Sequence, residues 1–147
     1  MMPSELSSHE GPIRQDEGEA HTMCVLSRDA GSVADARSWL ASFLREQRVP
    51  VSRSSDAVLV ISELVTNALR HGLGDIVART SVAGGVLSLS VTDSGAELPE
   101  MQPVDPLRVG GVGLHIVDRL SSQWGISPFP GGKTVWATMT GPVAGVV

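Results

Sequence analysis

Cysteine occurs once in this chain, at Cys24, and aromatic side chains only five times, at Trp39, Phe43, Trp124, Phe129 and Trp136. A single thiol excludes an intramolecular disulfide and a cysteine-rich zinc site, and it reads as a buried bystander in a reducing compartment. With so few aromatics, aliphatic side chains must do the packing. No run of about 18 apolar residues occurs, and no charged segment precedes an apolar stretch at the start, so neither a membrane span nor a signal peptide is indicated and a cytoplasmic protein is expected. Also missing is a stripe of basic residues. The formal charge is −5, but Glu5, Glu10, Asp16, Glu17 and Glu19 against Arg14 place most of it before residue 20, leaving a nearly neutral body. Such a body argues against nucleic-acid binding, in which neutralised phosphate dominates affinity.

What is present is ordinary globular material: 147 residues, 41% hydrophobic and 18% charged, enough for one domain with one core. Residues 1–21 mix acid, Ser, Gly and Pro without periodicity and read as a disordered tail, leaving a domain over 22–141 and a short tail over 142–147. "TMCVLSRD" is a strand candidate. A helix comes next, with Ser32 as its cap, Asp35 at the capping-box position, and Ala36, Trp39, Leu40, Phe43 and Leu44 on one stripe up to Pro50. A second helix is expected from about Ser55 to His71, stopped by Gly72, with Ala57, Ile61, Leu64, Val65 and Ala68 on its buried face and Leu59 opposite. "DIVARTSV" and "VLSLSVTD", joined by Gly84 and Gly85, read as a hairpin that delivers Asp93 to a strand end. Residues 94–109 hold three prolines and read as a lid-like loop. "GGVGLHIVDRLSSQW" reads as a helix, and "WGISPF", "PGG" and "KTVWATMT" as a closing hairpin.

Polar residues interrupt this pattern at three places. Glu63 and Asn67, four residues apart in "ISELVTNALRHG", lie together on the narrow polar strip of a helix that is apolar around most of its circumference. A carboxylate in so greasy a setting is costly unless it is paired or put to use, which favours a function: Glu63 as a general base, Asn67 as an oxygen ligand to Mg²⁺. Asp93 at its strand end can accept a hydrogen bond from an exocyclic amino group, which distinguishes adenine from guanine; equally, Asp-Ser-Gly can be a turn that bonds its own backbone. Gly110, Gly111 and Gly113 at a helix mouth can cradle phosphate on bare N–H groups, or simply make a tight connection.

The order of these clusters is more telling than any one of them. E-x-x-x-N on a helix, a hairpin ending in Asp-x-Gly, a proline-rich lid, a GxGL helix and a terminal "GGKT" hairpin resemble the Bergerat-fold (GHKL) ATP-binding domain. That domain is shared by DNA gyrase, heat-shock chaperones, sensor histidine kinases and anti-sigma-factor serine kinases. The likeness spans roughly Ser27 to Thr140, and "VSELVTNALRHG"-like wording, "TDSGAELP" and "GGKTVWA" are similar to the compact anti-sigma-factor group of actinomycetes. The implied fold is α+β, a two-layer sandwich in which a mixed, mostly antiparallel sheet is covered on one face by about three helices.

By the same resemblance Glu63 is the general base, Asn67 the Mg²⁺ ligand, and Asp93 the adenine reader, with Gly95 beside the ring. Gly111, Gly113 and Leu114 open the phosphate helix, Thr134 assists Asp93, and Arg108 in the lid approaches phosphate or partner. His71 matches a position often histidine in such proteins, or is a helix-end cap. The adenine box departs from the Asp-x-Gly-x-Gly of histidine kinases. The implied activity is transfer of the ATP γ-phosphoryl, with Mg²⁺, to a serine of a small anti-sigma-factor antagonist, with partner switching toward a sigma factor; homodimerisation is a family expectation. Two other functions fit the same motifs: a non-catalytic ATP-binding module that sequesters a partner, and a detached histidine-kinase catalytic domain, for which the chain before Ser27 offers no phospho-accepting helix.

Overall fold

The computed structural model describes residues 18–98 and 113–141. In chain order these form β1 (Glu19–Leu26), α1 (Ser32–Glu46), α2 (Val51–His71), β2 (Ile76–Ala83), β3 (Val86–Asp93), α3 (Gly113–Leu120), β4 (Gln123–Phe129) and β5 (Gly132–Thr140). The strands make one five-stranded sheet in the order β1-β2-β3-β5-β4. Every neighbouring pair is antiparallel, so the sheet expected to be mixed but mostly antiparallel is antiparallel throughout the described residues.

Alternation decides which face meets the helices. Along β1 the even phase (Ala20, Thr22, Cys24, Leu26) is buried, and along β3 the phase Leu87, Leu89, Val91, Asp93 is buried while Ser88, Ser90 and Thr92 face the other way. The two-layer α+β sandwich is therefore as the sequence implies, with α1 packed on α2 and α2 lying across β3. β1 starts at Glu19, inside the stretch expected to be tail. Its acidic residue and His21 fall on the outward phase, while Ala20 pairs with Val82 and is buried. The rest of that tail, residues 1–17, lies outside the described residues, as do residues 99–112 and 142–147.

Both helix starts differ from expectation. Ser32 is the first helical residue of α1, not its cap: Gly31 occupies the cap position, and the Ser32 hydroxyl donates back to the Asp29 carbonyl (3.0 Å) while the Asp29 carboxylate accepts the Gly31 N–H (2.9 Å). The expected stripe of α1 is buried as read. Its end is closed by Arg48, a non-glycine residue at φ 59, which lets Val49 N–H reach the Leu44 carbonyl at 3.0 Å and tucks Val49 into the core. α2 begins at Val51, earlier than Ser55, because Pro50 does more than end α1. Its extended backbone (φ −56, ψ 146) makes it the cap from which α2 departs.

The hydroxyls on α2 do not interrupt it. Ser62 and Thr66 donate to the carbonyls of Val58 and Ser62, one turn back (2.7 and 2.8 Å). The β2–β3 turn forms on Gly84 (φ 58) and Gly85 (φ 80), the paired positive φ angles that a type I′ hairpin requires. The last helix is shorter than read: α3 stops at Leu120, and Gln123 and Trp124 belong to β4. The Ser122 N–H donates to the Thr138 carbonyl (2.7 Å), which captures the chain for the sheet, and Trp124 Nε1 bonds the Asp118 carboxylate (2.9 Å).

This packing generates two expectations. Leu64→Ala, at a fully buried position of α2, should lower unfolding free energy by about 2–5 kcal/mol in urea titration, whereas Leu59→Ala, on the outer side, should change it by about 0.5 kcal/mol or less. Burial, followed by the nearby negative charge of Asp35, pushes the Cys24 thiol up from its ordinary value, so less thiolate is present at any given pH. Native protein should therefore resist iodoacetamide at neutral pH and react readily once unfolded, as measured by mass spectrometry.

Candidate functional site

The site is built along α2. Glu63, Asn67 and His71 recur every four residues, so one strip of the helix carries all three, and both Glu63 and Asn67 are half-buried. At the Glu63 end stands the first residue of α3. A β-carbon placed on Gly113 would lie 2.6 Å from Glu63 Oε1, so the end of the Glu63 side chain lies close against the mouth of α3. The positive end of α3 is thus set beside a carboxylate, the arrangement a helix dipole favours. Leu114, next in sequence, turns into the core and is buried.

At the other end α2 stops at Gly72 against the end of β3. A β-carbon on Gly72 would lie 2.5 and 2.6 Å from the two carboxylate oxygens of Asp93, and one on Gly95 would lie 2.8 Å from the Gly72 Cα. Gly72 has extended backbone (φ −115, ψ −175) that any residue can adopt, so its role here is to leave space. Asp93 itself is buried. Its Oδ1 accepts the Gly95 N–H at 2.7 Å, which is the Asx-type turn foreseen for Asp-Ser-Gly.

Two residues that sequence reasoning missed hold this junction. Lys133, at the start of β5, is buried to 1% exposure, and its ammonium lies 3.0 Å from Asp93 Oδ1. Its sequence signal is phase: Lys133, Val135, Ala137 and Met139 share one side of β5, and three of them are core residues. Arg28, just after β1, donates to the carbonyls of Ala68, Leu69 (3.0 Å), Gly72 (2.8 Å) and Gly74 (3.3 Å), closing the C-terminal end of α2. No local pattern around Arg28 announces that role.

Thr134 requires a correction. The resemblance implies that it assists Asp93, yet register pairs Asp93 with Lys133 and Thr134 with Thr92, and the two threonine hydroxyls bond each other at 2.8 Å on the face away from the helices. Side chains on successive strand residues point to opposite faces, so Thr134 and Lys133 cannot both reach Asp93. His71 contributes its backbone to the junction, and its ring sits 3.8 Å from Glu97 in an exposed pair that carries little energy. Arg108 and Gly111 lie outside the described residues.

Asn67 is the exception among these polar groups. Its Nδ2 is buried and has no hydrogen-bond partner among the described residues. A buried amide left so is costly, and since its amide can be turned to put Oδ1 in the same place, it fits either a phosphate oxygen or a hard cation. Among the described residues no group of three or more His, Cys, Asp or Glu side chains could hold a metal, so a cation here would take most of its ligands from a bound anion and water.

Residues 26–139 match the model of the histidine kinase-like ATPase domain. The chain belongs to the histidine kinase-like ATPase family. Among solved structures it is similar to the crystal structure of the RsbU and RsbW domains of Rv1364c from Mycobacterium tuberculosis, at 25% identity and a TM-score of 0.65; the match covers 82% of this chain and 31% of that one. It is also similar to the histidine kinase domain of the blue-light activated histidine kinase from Erythrobacter litoralis EL346, at 21% identity and a TM-score of 0.49, covering 71% of this chain and 60% of that one. No curated protein matches it. The Bergerat architecture read from the motif order is thus the architecture found.

The crowding at Gly72 gives a sharp test of the junction. Gly72→Ala should force the held Asp93 carboxylate aside and cost about 1–3 kcal/mol in urea titration, while Gly113→Ala, whose added methyl meets only the movable end of Glu63, should cost less.

Proposed function

We propose that this chain binds Mg²⁺–ATP along the α2 strip and transfers the γ-phosphoryl group to a serine of a small anti-sigma-factor antagonist, switching partners toward a sigma factor. The observation that carries this reading is the buried Asn67 Nδ2, which has no hydrogen-bond partner among the described residues and lies along α2 between the candidate base Glu63 and the Gly72 end that meets the base-reading candidate Asp93. From Gly72, against Asp93, to Glu63 is nine residues of helix, about 13 Å at 1.5 Å per residue, a span that suits an extended nucleoside triphosphate. The resemblance of the motifs to the anti-sigma-factor kinases, and the likeness to a structure that contains an RsbW domain, support the choice of partner class.

In this mechanism Asp93 accepts a hydrogen bond from the adenine amino group and Gly95 leaves room for the ring. Gly113 offers bare backbone N–H at the mouth of α3 to the terminal phosphates, a role the motif resemblance extends to Gly111, and the same resemblance gives Arg108 the role of a lid residue that approaches phosphate or partner. Asn67 supplies an oxygen to Mg²⁺, which, when bound, neutralises charge on the phosphates. Glu63 accepts the proton of the attacking serine hydroxyl as the new oxygen–phosphorus bond forms and ADP departs with the electrons of the broken bond. Because phosphoryl transfer is catalysed mainly by positioning and electrostatics, so few groups suffice.

Incubation of the protein with labelled ATP and candidate antagonist proteins tests the reading. Glu63→Ala should lower labelling by about 10²-fold or more while leaving ATP affinity within about threefold. Labelling that survives the substitution removes Glu63 from the chemistry, and ATP binding with no labelling of any antagonist would make the protein a sequestering module instead.

A further inference from the structure

The chain carries eleven lysine and arginine residues, and Lys133 is the single lysine among them. It is also one of the largest fully buried side chains. An ammonium has three N–H donors, and here each has an acceptor: Asp93 Oδ1 at 3.0 Å, the His71 carbonyl at 3.3 Å and the Gly95 carbonyl at 3.4 Å. Lys133 therefore has no donor left to offer a ligand. Its position also suits its charge, since the His71 carbonyl belongs to the C-terminal, negative end of α2. A compact ammonium fits three acceptors around one point; a planar guanidinium would not.

The two carboxylate oxygens of Asp93 are thereby made unequal. Oδ1 receives both the Gly95 N–H and Lys133, and no hydrogen bond among the described residues reaches Oδ2. No other charged side chain among the described residues competes for it: the Arg28 guanidinium is engaged by the carbonyls of α2 and Gly74, and the His71 ring faces Glu97. We infer that Lys133 is the positioning residue that makes Asp93 a one-way reader of the base, holding Oδ1 so that Oδ2 is an acceptor only and a purine with an exocyclic amino group is preferred over one with a carbonyl there. The inference rests on the nucleotide-binding reading above and adds to it a residue that never touches the nucleotide. Without the ammonium, the buried carboxylate has no compensating charge and Oδ1 loses one of its two donors, so the carboxylate is free to swing toward water and no longer presents Oδ2 in a fixed place to reject a carbonyl.

The experiment is a calorimetric titration of the full chain with Mg²⁺–ATP and with Mg²⁺–ITP, whose base carries a carbonyl where adenine has its amino group. Wild type should prefer ATP by about ten- to a hundredfold, the range expected of one charged hydrogen bond. In Lys133→Met that preference should fall to about threefold or less, with ITP affinity nearly unchanged. A variant that keeps the wild-type ratio, or that loses both nucleotides equally, overturns the inference and leaves Lys133 a purely structural pin. Should Lys133→Met lack a cooperative melt, Lys133→Gln, which keeps one N–H toward Asp93 without the charge, should show a ratio below about a third of wild type, and an unchanged ratio again overturns it. A wild type that binds both nucleotides equally defeats the inference alone, whereas one that binds neither defeats the nucleotide reading as well.

Discussion

The pairing of Asp93 with Lys133 is the constraint on which the rest of the site hangs. Both side chains are removed from water, so neither charge is tolerable without the other. What forces them together is the register of β3 on β5. Val135, Ala137 and Met139 must face the helices, and a strand alternates with a period of two, so Lys133 must face inward as well. A slip by one residue would bring Thr134 opposite Asp93, but would also turn that whole apolar row toward the open face. Hydrophobic burial thus selects a lysine neighbour for Asp93, and the carboxylate compensates the charge that this lysine carries inward.

From this junction the geometry propagates along α2. Asp93 touches Gly72, Lys133 bonds the His71 carbonyl, and Arg28 grips four carbonyls just before and after that point. The C-terminal end of the helix is therefore fixed by side chains from the β1–α1 connection, from β3 and from β5. Its other surfaces are fixed by burial, since Ala57, Val60, Ile61, Leu64, Val65 and Ala68 are all covered. A helix held at its end and along its length transmits position faithfully, and Glu63 and Asn67 inherit their placement from the strand end without bonding to it. Sites on rigid elements are held more precisely than sites on loops.

Much of this was legible in the sequence, and the failures have identifiable physical causes. Period-two and helical patterns located the elements, and the Gly84–Gly85 turn located the hairpin, because these signals are local. Element ends were misplaced where a longer-range partner decided them. Gln123 and Trp124 look helical by continuation, but Ser122 is drawn away by Thr138 and Thr140 of the neighbouring strand. Pro50 ends one helix and begins another, and only the second role depends on the residues that come after it. At the site, Glu63, Asn67 and Asp93 stood out as polar residues in apolar company. Lys133 could have been found by the same test, since within "KTVWATMT" it sits in phase with a core row. Arg28 was beyond reach, because its acceptors lie about forty residues away and a backbone carbonyl leaves no trace in a sequence.

The two ends of the site differ in how completely their polar groups are satisfied. At the Asp93 end the carboxylate oxygen Oδ1 has two donors and the ammonium three acceptors, so both are satisfied before any ligand arrives and Oδ2 alone is left to accept. At the Asn67 end a buried amide nitrogen has no partner among the described residues, so part of the cost of folding is left standing there. A satisfied network resists rearrangement and suits recognition of a fixed shape such as a purine edge. An unsatisfied group does the opposite: it rewards whatever supplies the missing partner. Binding at the second end then recovers a cost already incurred in folding, which is how a marginally stable domain can couple occupancy of its site to its own stability. The finished end of that helix strip owes its completeness in large part to the lysine that β5 places there.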